Sequence, residues 1–293
     1  MTDDIHTISS GGVIASIKSE GAELCSLKTA SGQELLWQAG PAWPRHAPWL
    51  FPIVGRLKDD QLRHRGKTFP MTQHGFARDL RFDWLERTAQ SCTLQLTDSD
   101  ATRARYPFAF RLTITYRIDF GSLQASIEIA NPGDEMLPAS FGAHPAFNWP
   151  LTSGQAKQSY RLLFPYAESA PTRRLRGGLM LEQTEPSPVQ GAVLPLSEDL
   201  FADDAVILDA IESRSLRYQG EGGPSIEMAW DGFRELGIWS KPGGAPFLCI
   251  EPWRGYASPI GFNGEFTDKP GLMHIAPDAA EILTLGVEVH EAK

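Results

Sequence analysis

Three short segments concentrate the residues able to exchange protons and bind a polar ligand. The first, Met71-Thr72-Gln73-His74-Gly75-Phe76-Ala77-Arg78-Asp79, joins a histidine, a glycine, an arginine and an aromatic that reads as exposed. Histidine titrates near neutral pH, glycine lets backbone approach a ligand, and arginine presents a rigid fork of donors. The second, Gly142-Ala143-His144-Pro145-Ala146-Phe147-Asn148-Trp149, sets a proline after His144, which restricts its backbone and orients its imidazole as a positioned acid would require. In the third, Phe247-Leu248-Cys249-Ile250-Glu251-Pro252-Trp253, an apolar strand delivers a carboxylate into partial burial. Desolvation raises a carboxylate pKa, which suits a general base. Each has a plainer reading alone: a turn histidine, a Glu251 paired with Arg254 or Arg56, aromatics that are simply core. Three of one character point to one pocket.

Phe76, Phe147, Trp149 and Trp253 lie close in sequence to His74, His144 and Glu251. Aromatic faces beside hydrogen-bonding groups suit a sugar, whose C–H faces are apolar and whose hydroxyls need directed partners. No phosphate-cradling glycine loop, dinucleotide fingerprint or serine-nucleophile elbow is present. The histidines lack the close spacing of most zinc sites, so no metal is expected.

Short strands must position these segments. Apolar runs at Val13 to Ile17, Leu24 to Leu27 and Leu35 to Trp37 alternate with glycine punctuation. Gly40 to Gly55 is dense in Pro and Trp and reads as an ordered, irregular loop. Arg81 to Glu86 and Cys92 to Leu96 read as a strand pair. The plainest hairpin alternates Phe110, Leu112, Ile114, Tyr116 and Ile118 with polar residues, turns at Gly121-Ser122, and returns through Leu123, Ala125, Ile127 and Ile129. One short helix is predicted within Asp98 to Arg105, capped by Asp98, Ser99 or Asp100. Ser153 to Gln190, with Arg173, Arg174 and Arg176, reads as a solvated excursion. Further strands are predicted at Ser225 to Trp230, Glu235 to Ser240, Phe247 to Glu251 and Glu281 to Val289. Short strands with Gly and Pro turns mean an all-β fold, a sandwich or barrel, and no linker divides residues 1–293, so one domain is expected.

A net charge of −9 argues against sequence-independent nucleic-acid binding. Cys25, Cys92 and Cys249 are widely spaced in apolar contexts, as free thiols of a reducing compartment are. The start, Met1-Thr2-Asp3-Asp4-Ile5-His6, lacks a basic region followed by an apolar run, and no stretch is long enough to span a bilayer. The expectation is a cytoplasmic protein, monomeric or weakly dimeric, with a small-molecule partner and neither nucleic acid nor membrane.

Together the three segments, with Gly21-Ala22-Glu23-Leu24, Leu35-Leu36-Trp37 and Pro48-Trp49-Leu50-Phe51-Pro52-Ile53-Val54-Gly55-Arg56, resemble the aldose 1-epimerase (galactose mutarotase-like) superfamily, its LacX-like branch in particular. The resemblance implies a large antiparallel β-sandwich and interconversion of the α and β anomers of a free hexose without a cofactor. It implies Glu251 as the base at the anomeric hydroxyl, His144 as the acid at the ring oxygen, and His74 as a hydrogen-bonding catalytic histidine. It further implies Arg56, Arg78, Asp204, Phe76 and Trp253 as substrate-binding. Two departures bear on the sugar: Ala146 stands where well-studied galactose mutarotases have tyrosine, and Lys58-Asp59 where they have Asn-Arg. A second branch acts on hexose 6-phosphates, and Arg56, Arg78, Arg173 or Arg174 could grip a phosphate. A carbohydrate-binding or sugar-sensing protein on the same scaffold is the alternative from another class.

Overall fold

The computed structural model describes residues 4–291, so the first three residues of the acidic N-terminal segment lie outside it. Among the described residues, two large antiparallel sheets dominate. One has nine strands, in the order Val193–Pro195, Arg161–Leu163, Ser215–Gln219, Ser225–Asp231, Ala280–His290, Ser122–Ala130, Arg111–Asp119, Ser91–Thr97 and Asp83–Arg87. The other follows the path Leu179–Glu185, Thr172–Arg176, Val206–Leu208, Glu235–Trp239, Phe247–Arg254, Phe141–Ala143 and Trp49–Leu50, with Ala146–Asn148 added beside Phe247–Arg254.

Period-two patterning accounts for how the sheets meet. In the hairpin Arg111–Asp119/Ser122–Ala130, Asp119 pairs with Ser122, which leaves Phe120 and Gly121 as the two turn residues, both at positive φ (45° and 84°). Two left-handed residues give the turn whose twist matches its strands. The sequence expectation put that turn one residue later. Ile114, Ile127, Leu285 and Val287 point inward from the nine-stranded sheet, and Leu208, Leu236, Ile238, Leu248 and Ile250 point inward from the other, all in one hydrophobic cluster. Each such side chain contributes roughly 1.5–3 kcal/mol by leaving water.

The second sheet is covered on both faces. Phe247–Arg254 is buried through Trp253, with Leu248 and Ile250 in the main core while Phe247, Cys249, Glu251 and Trp253 face the other way. A strand covered on both sides reads as a continuous apolar run, which is why its alternation is invisible in the sequence. It also extends three residues past the expected end, so Glu251 sits inside the strand.

Elsewhere the predicted helix shrinks to Asp100–Arg103, with Ser99 as N-cap in a reciprocal capping box with Thr102. Ser153 to Gln190 is not merely a solvated excursion: it supplies Arg161–Leu163 to one sheet and Thr172–Arg176 and Leu179–Glu185 to the other. Leu179–Glu185 is an edge strand and the other two lie one strand in from an edge, where side chains stay wetter and apolar alternation thins. Cys25, Cys92 and Cys249 are free thiols, Cys25 only half-buried. No helix among the described residues is long and apolar enough to cross a membrane.

Candidate active site

Glu251 is placed by strand register. Gly142 pairs with Trp253, and Ala146 pairs with Cys249, so the His144-Pro145 link between two short strands crosses at the level of Glu251. The Ile250 N–H donates to the Pro145 carbonyl and the His144 N–H to that of Pro48, which pins the link from both sides. His144 Nε2 thereby comes 3.3 Å from Glu251 Oε2. The neighbouring strand offers Gly237 opposite Glu251, and a Cβ there would lie 2.3 Å from the Trp253 ring. Only glycine leaves the indole room to lie over the sheet beside the carboxylate.

The pair faces a cavity of about 360 Å³, within the range of small-molecule sites. His74, Arg78, Asp204 and Trp253 also line it. His74 (φ 66°) enters from a loop locked to Gly55: its N–H donates to the Gly55 carbonyl at 2.7 Å, and the Gly55 N–H donates to its Nδ1 at 3.1 Å. With Nδ1 accepting, the neutral imidazole carries its proton on Nε2. Gly75 (φ 73°) completes this turn; a Cβ would lie 2.2 Å from the Phe51 carbonyl oxygen, which accepts from Phe76 and Ala77 N–H.

Burial governs the electrostatics. It pushes Glu251 well above the ordinary carboxylate range; the nearby Trp253 N–H works against this and the Asp204 charge adds to it. The indole N–H comes near enough to favour a charged carboxylate yet makes no hydrogen bond of ordinary geometry. His144 is lowered to about 3, by burial first and then by Arg78, and its Nδ1 is buried without a partner. Burial, with His144, Arg78 and Arg45 adding to it, likewise holds His74 well below the usual imidazole value. His74 is therefore a neutral donor, whereas Glu251 and His144 form a buried pair holding one proton between them.

Two expected ligand residues stand apart. Phe76 is buried, packed against Phe51, Tyr106 and Phe110, so the exposed-looking aromatic is core. Arg56 does not line the cavity; its guanidinium clasps Asp60 through two 2.6 Å hydrogen bonds. Neither Arg254 nor Arg56 pairs with Glu251, whose charged-group contact is His144. Arg173 is engaged by Asp209 and Arg174 by Glu185, both off the cavity wall.

The sequence reading missed Trp43, Arg45 and Trp239. Trp43 stacks on the His144 ring at 4.9 Å, and Trp239 meets it edge-on at 6.0 Å. Arg45 lines the cavity beside Arg78 and donates to Asp79 at 2.8 Å. The loop carrying Trp43 and Arg45 is anchored by Glu23, which accepts the His46 and Ala47 N–H groups, each at 2.9 Å, and pairs with Lys18, whereas Trp239 ends the strand Glu235–Trp239. The Pro- and Trp-dense composition was the available signal.

Residues 4–273 match the family model described as aldose 1-epimerase. The chain is 32% identical to the plasmid-encoded protein LacX of Lactococcus lactis subsp. lactis over 271 residues, covering 89% of this chain and 91% of the relative. A galactose mutarotase related enzyme from Lactobacillus acidophilus superimposes with a TM-score of 0.92 at 31% identity, over 99% of each chain. A galactose mutarotase-like protein from Lactobacillus casei does so with 0.92 at 32% identity, covering 98% of this chain and 100% of its own.

Proposed function

The chain belongs to the aldose 1-epimerase family, isomerases that act on carbohydrates, and from that premise we propose that it interconverts the α and β anomers of a free hexose by acid–base ring opening and closure. One observation carries the reading: Glu251 and His144 stand 3.3 Å apart and face one sugar-sized cavity. Glu251 as carboxylate takes the proton of the anomeric hydroxyl while protonated His144 gives one to the ring oxygen. The bond from C1 to the ring oxygen breaks and C1 becomes an aldehyde. Rotation about C1–C2 and closure from the other face, with both transfers reversed, give the second anomer. The charged pair and the neutral pair hold the same single proton, so no proton need come from outside. The His74 Nε2–H serves as a donor to a sugar oxygen, and Trp43, Trp239 and Trp253 offer apolar faces to the ring.

A phosphorylated hexose is a second reading, supported by Arg45 and Arg78 lining the cavity together. Arg45 is held by Asp79 and one nitrogen of Arg78 by the Gln73 carbonyl at 2.8 Å, which favours the neutral sugar, while Arg78 Nε is buried without a hydrogen-bond partner. The test is anomer equilibration of freshly dissolved glucose, galactose and glucose 6-phosphate, followed by polarimetry or NMR with wild type and Glu251→Gln in parallel. Acceleration reduced about 10²–10⁴-fold by the substitution, the usual worth of one acid–base group, is the expected result. Sugar binding without acceleration by wild type would instead favour the binding-protein reading.

A further inference from the structure

The sequence set metals aside because its histidines are far apart along the chain. Folding supplies a different donor set. Cys249 and Glu251 are two residues apart on one strand and so share a face, and the His144-Pro145 link crosses beside them. The nearest donor atoms of His144, Cys249 and Glu251 all lie within 4.8 Å of one another, and all three residues are buried. Among the described residues this is the one such group.

The geometry suits a tetrahedral cation. The 3.3 Å between His144 Nε2 and Glu251 Oε2 matches the edge of a tetrahedron with metal–ligand bonds of about 2.0–2.1 Å. The donor atoms now lie within 4.8 Å of one another, so a zinc–thiolate bond of about 2.3 Å requires the buried trio to draw together around the ion. Cys249 has no place in the proposed proton transfers, while His144 and Glu251 border the cavity, so an ion can enter there and keep its fourth position for water or a sugar hydroxyl. One nitrogen, one sulfur and one carboxylate oxygen select zinc-like cations over magnesium or calcium.

We infer that His144, Cys249 and Glu251 form an inhibitory site for thiophilic divalent cations of the zinc type. This rests on the proposed function for its effect, though not for its binding. On binding, the cation forms bonds to sulfur, nitrogen and oxygen; the thiol proton and the proton shared by the pair leave to water, and nothing is oxidised or reduced. The base and the acid then have their lone pairs on the metal, and ring opening stops.

The experiment begins with chelator-treated, reduced protein titrated with Co²⁺, whose thiolate charge-transfer absorption and intense four-coordinate bands report the ligands directly. Wild type should develop both, and Cys249→Ser and Cys249→Ala should lose the charge-transfer band while keeping the far- and near-ultraviolet circular dichroism of wild type. In parallel, Zn²⁺ should inhibit anomer equilibration, reversibly by chelator, with Mg²⁺ inert. Each cysteine variant should equilibrate sugar in metal-free buffer yet need at least about tenfold more Zn²⁺ for the same inhibition, the least expected when even an outer partner of a metal site is lost. No charge-transfer band in wild type, or Zn²⁺ inhibition unchanged in both variants, overturns the site. If metal-free wild type accelerates no sugar, the functional reading fails and the cobalt spectra alone decide the site.

Discussion

Glu251 and His144 are each pushed by burial toward the neutral form, in opposite pKa directions, and this sets the pH range in which their single proton is retained. A second proton reaches the pair only near the lowered His144 value of about 3, and the last leaves only at the raised Glu251 value. The singly protonated form, the one able to act as acid and base together, therefore persists on the acid side far below the 6.5 of an ordinary imidazole. A pH profile of kcat/KM should show no acid limb centred near that ordinary value, and should decline on the alkaline side as the pair loses its proton. An acid midpoint near 6.5 would mean that His144 titrates as a solvated imidazole and that the two groups do not share a proton.

At the scale of elements, the site depends on two supports outside the three motif segments. Glu23 holds the loop carrying Trp43 and Arg45 through two backbone N–H groups. Glu23→Ala should cost about 1–3 kcal/mol in thermal or urea unfolding, the scale of leaving buried donors unpaired, and should also lower kcat/KM because the loop bears part of the cavity wall. The second support is the turn after Trp253, where the buried carboxylate of Glu235 accepts the Gly255 N–H at 2.9 Å and Lys269 Nζ donates to the Tyr256 carbonyl at 2.6 Å. Burial raises Glu235 from 4.5 to about 7 and lowers Lys269 from 10.5 to about 7. For Glu235 the folded state binds the proton more tightly than the unfolded chain, so its contribution is fully present below 4.5 and is lost as pH rises through about 7. The stability of wild type relative to Glu235→Gln should therefore fall as pH rises across that interval. A difference between their Tm values that does not change with pH would remove Glu235 from the account.

At the scale of the whole molecule, the net charge of −9 sets a long-range field that a neutral sugar does not feel and a phosphorylated one does. KM for a free hexose should stay constant as ionic strength rises. KM for a hexose 6-phosphate should depend on salt, because its repulsion by the protein and its attraction to Arg45 and Arg78 are both screened. Measured side by side, the two dependences separate the neutral-sugar and phosphosugar readings. The same scale explains why a histidine meets a carboxylate and a thiol about a hundred residues further along the chain: the eight-stranded sheet is walled on its outer face by loops, so one strand can face the sandwich core and a ligand cavity at once.

The all-β class, the hairpin at Arg111–Asp119 and Ser122–Ala130, and the segments bearing His74, His144 and Glu251 are legible in the residues alone. Period-two alternation and turn residues are local properties, and the motif segments stand out by composition. Tertiary structure alone decided that Phe76 is core, that Arg56 is occupied by Asp60, and that Trp43, Arg45 and Trp239 join the cavity. It also decided that Cys249 stands beside the acid–base pair. These depend on strand register and on which face of a doubly buried strand a side chain takes. A one-residue slip would exchange those faces, and an uninterrupted apolar run does not record which face is which.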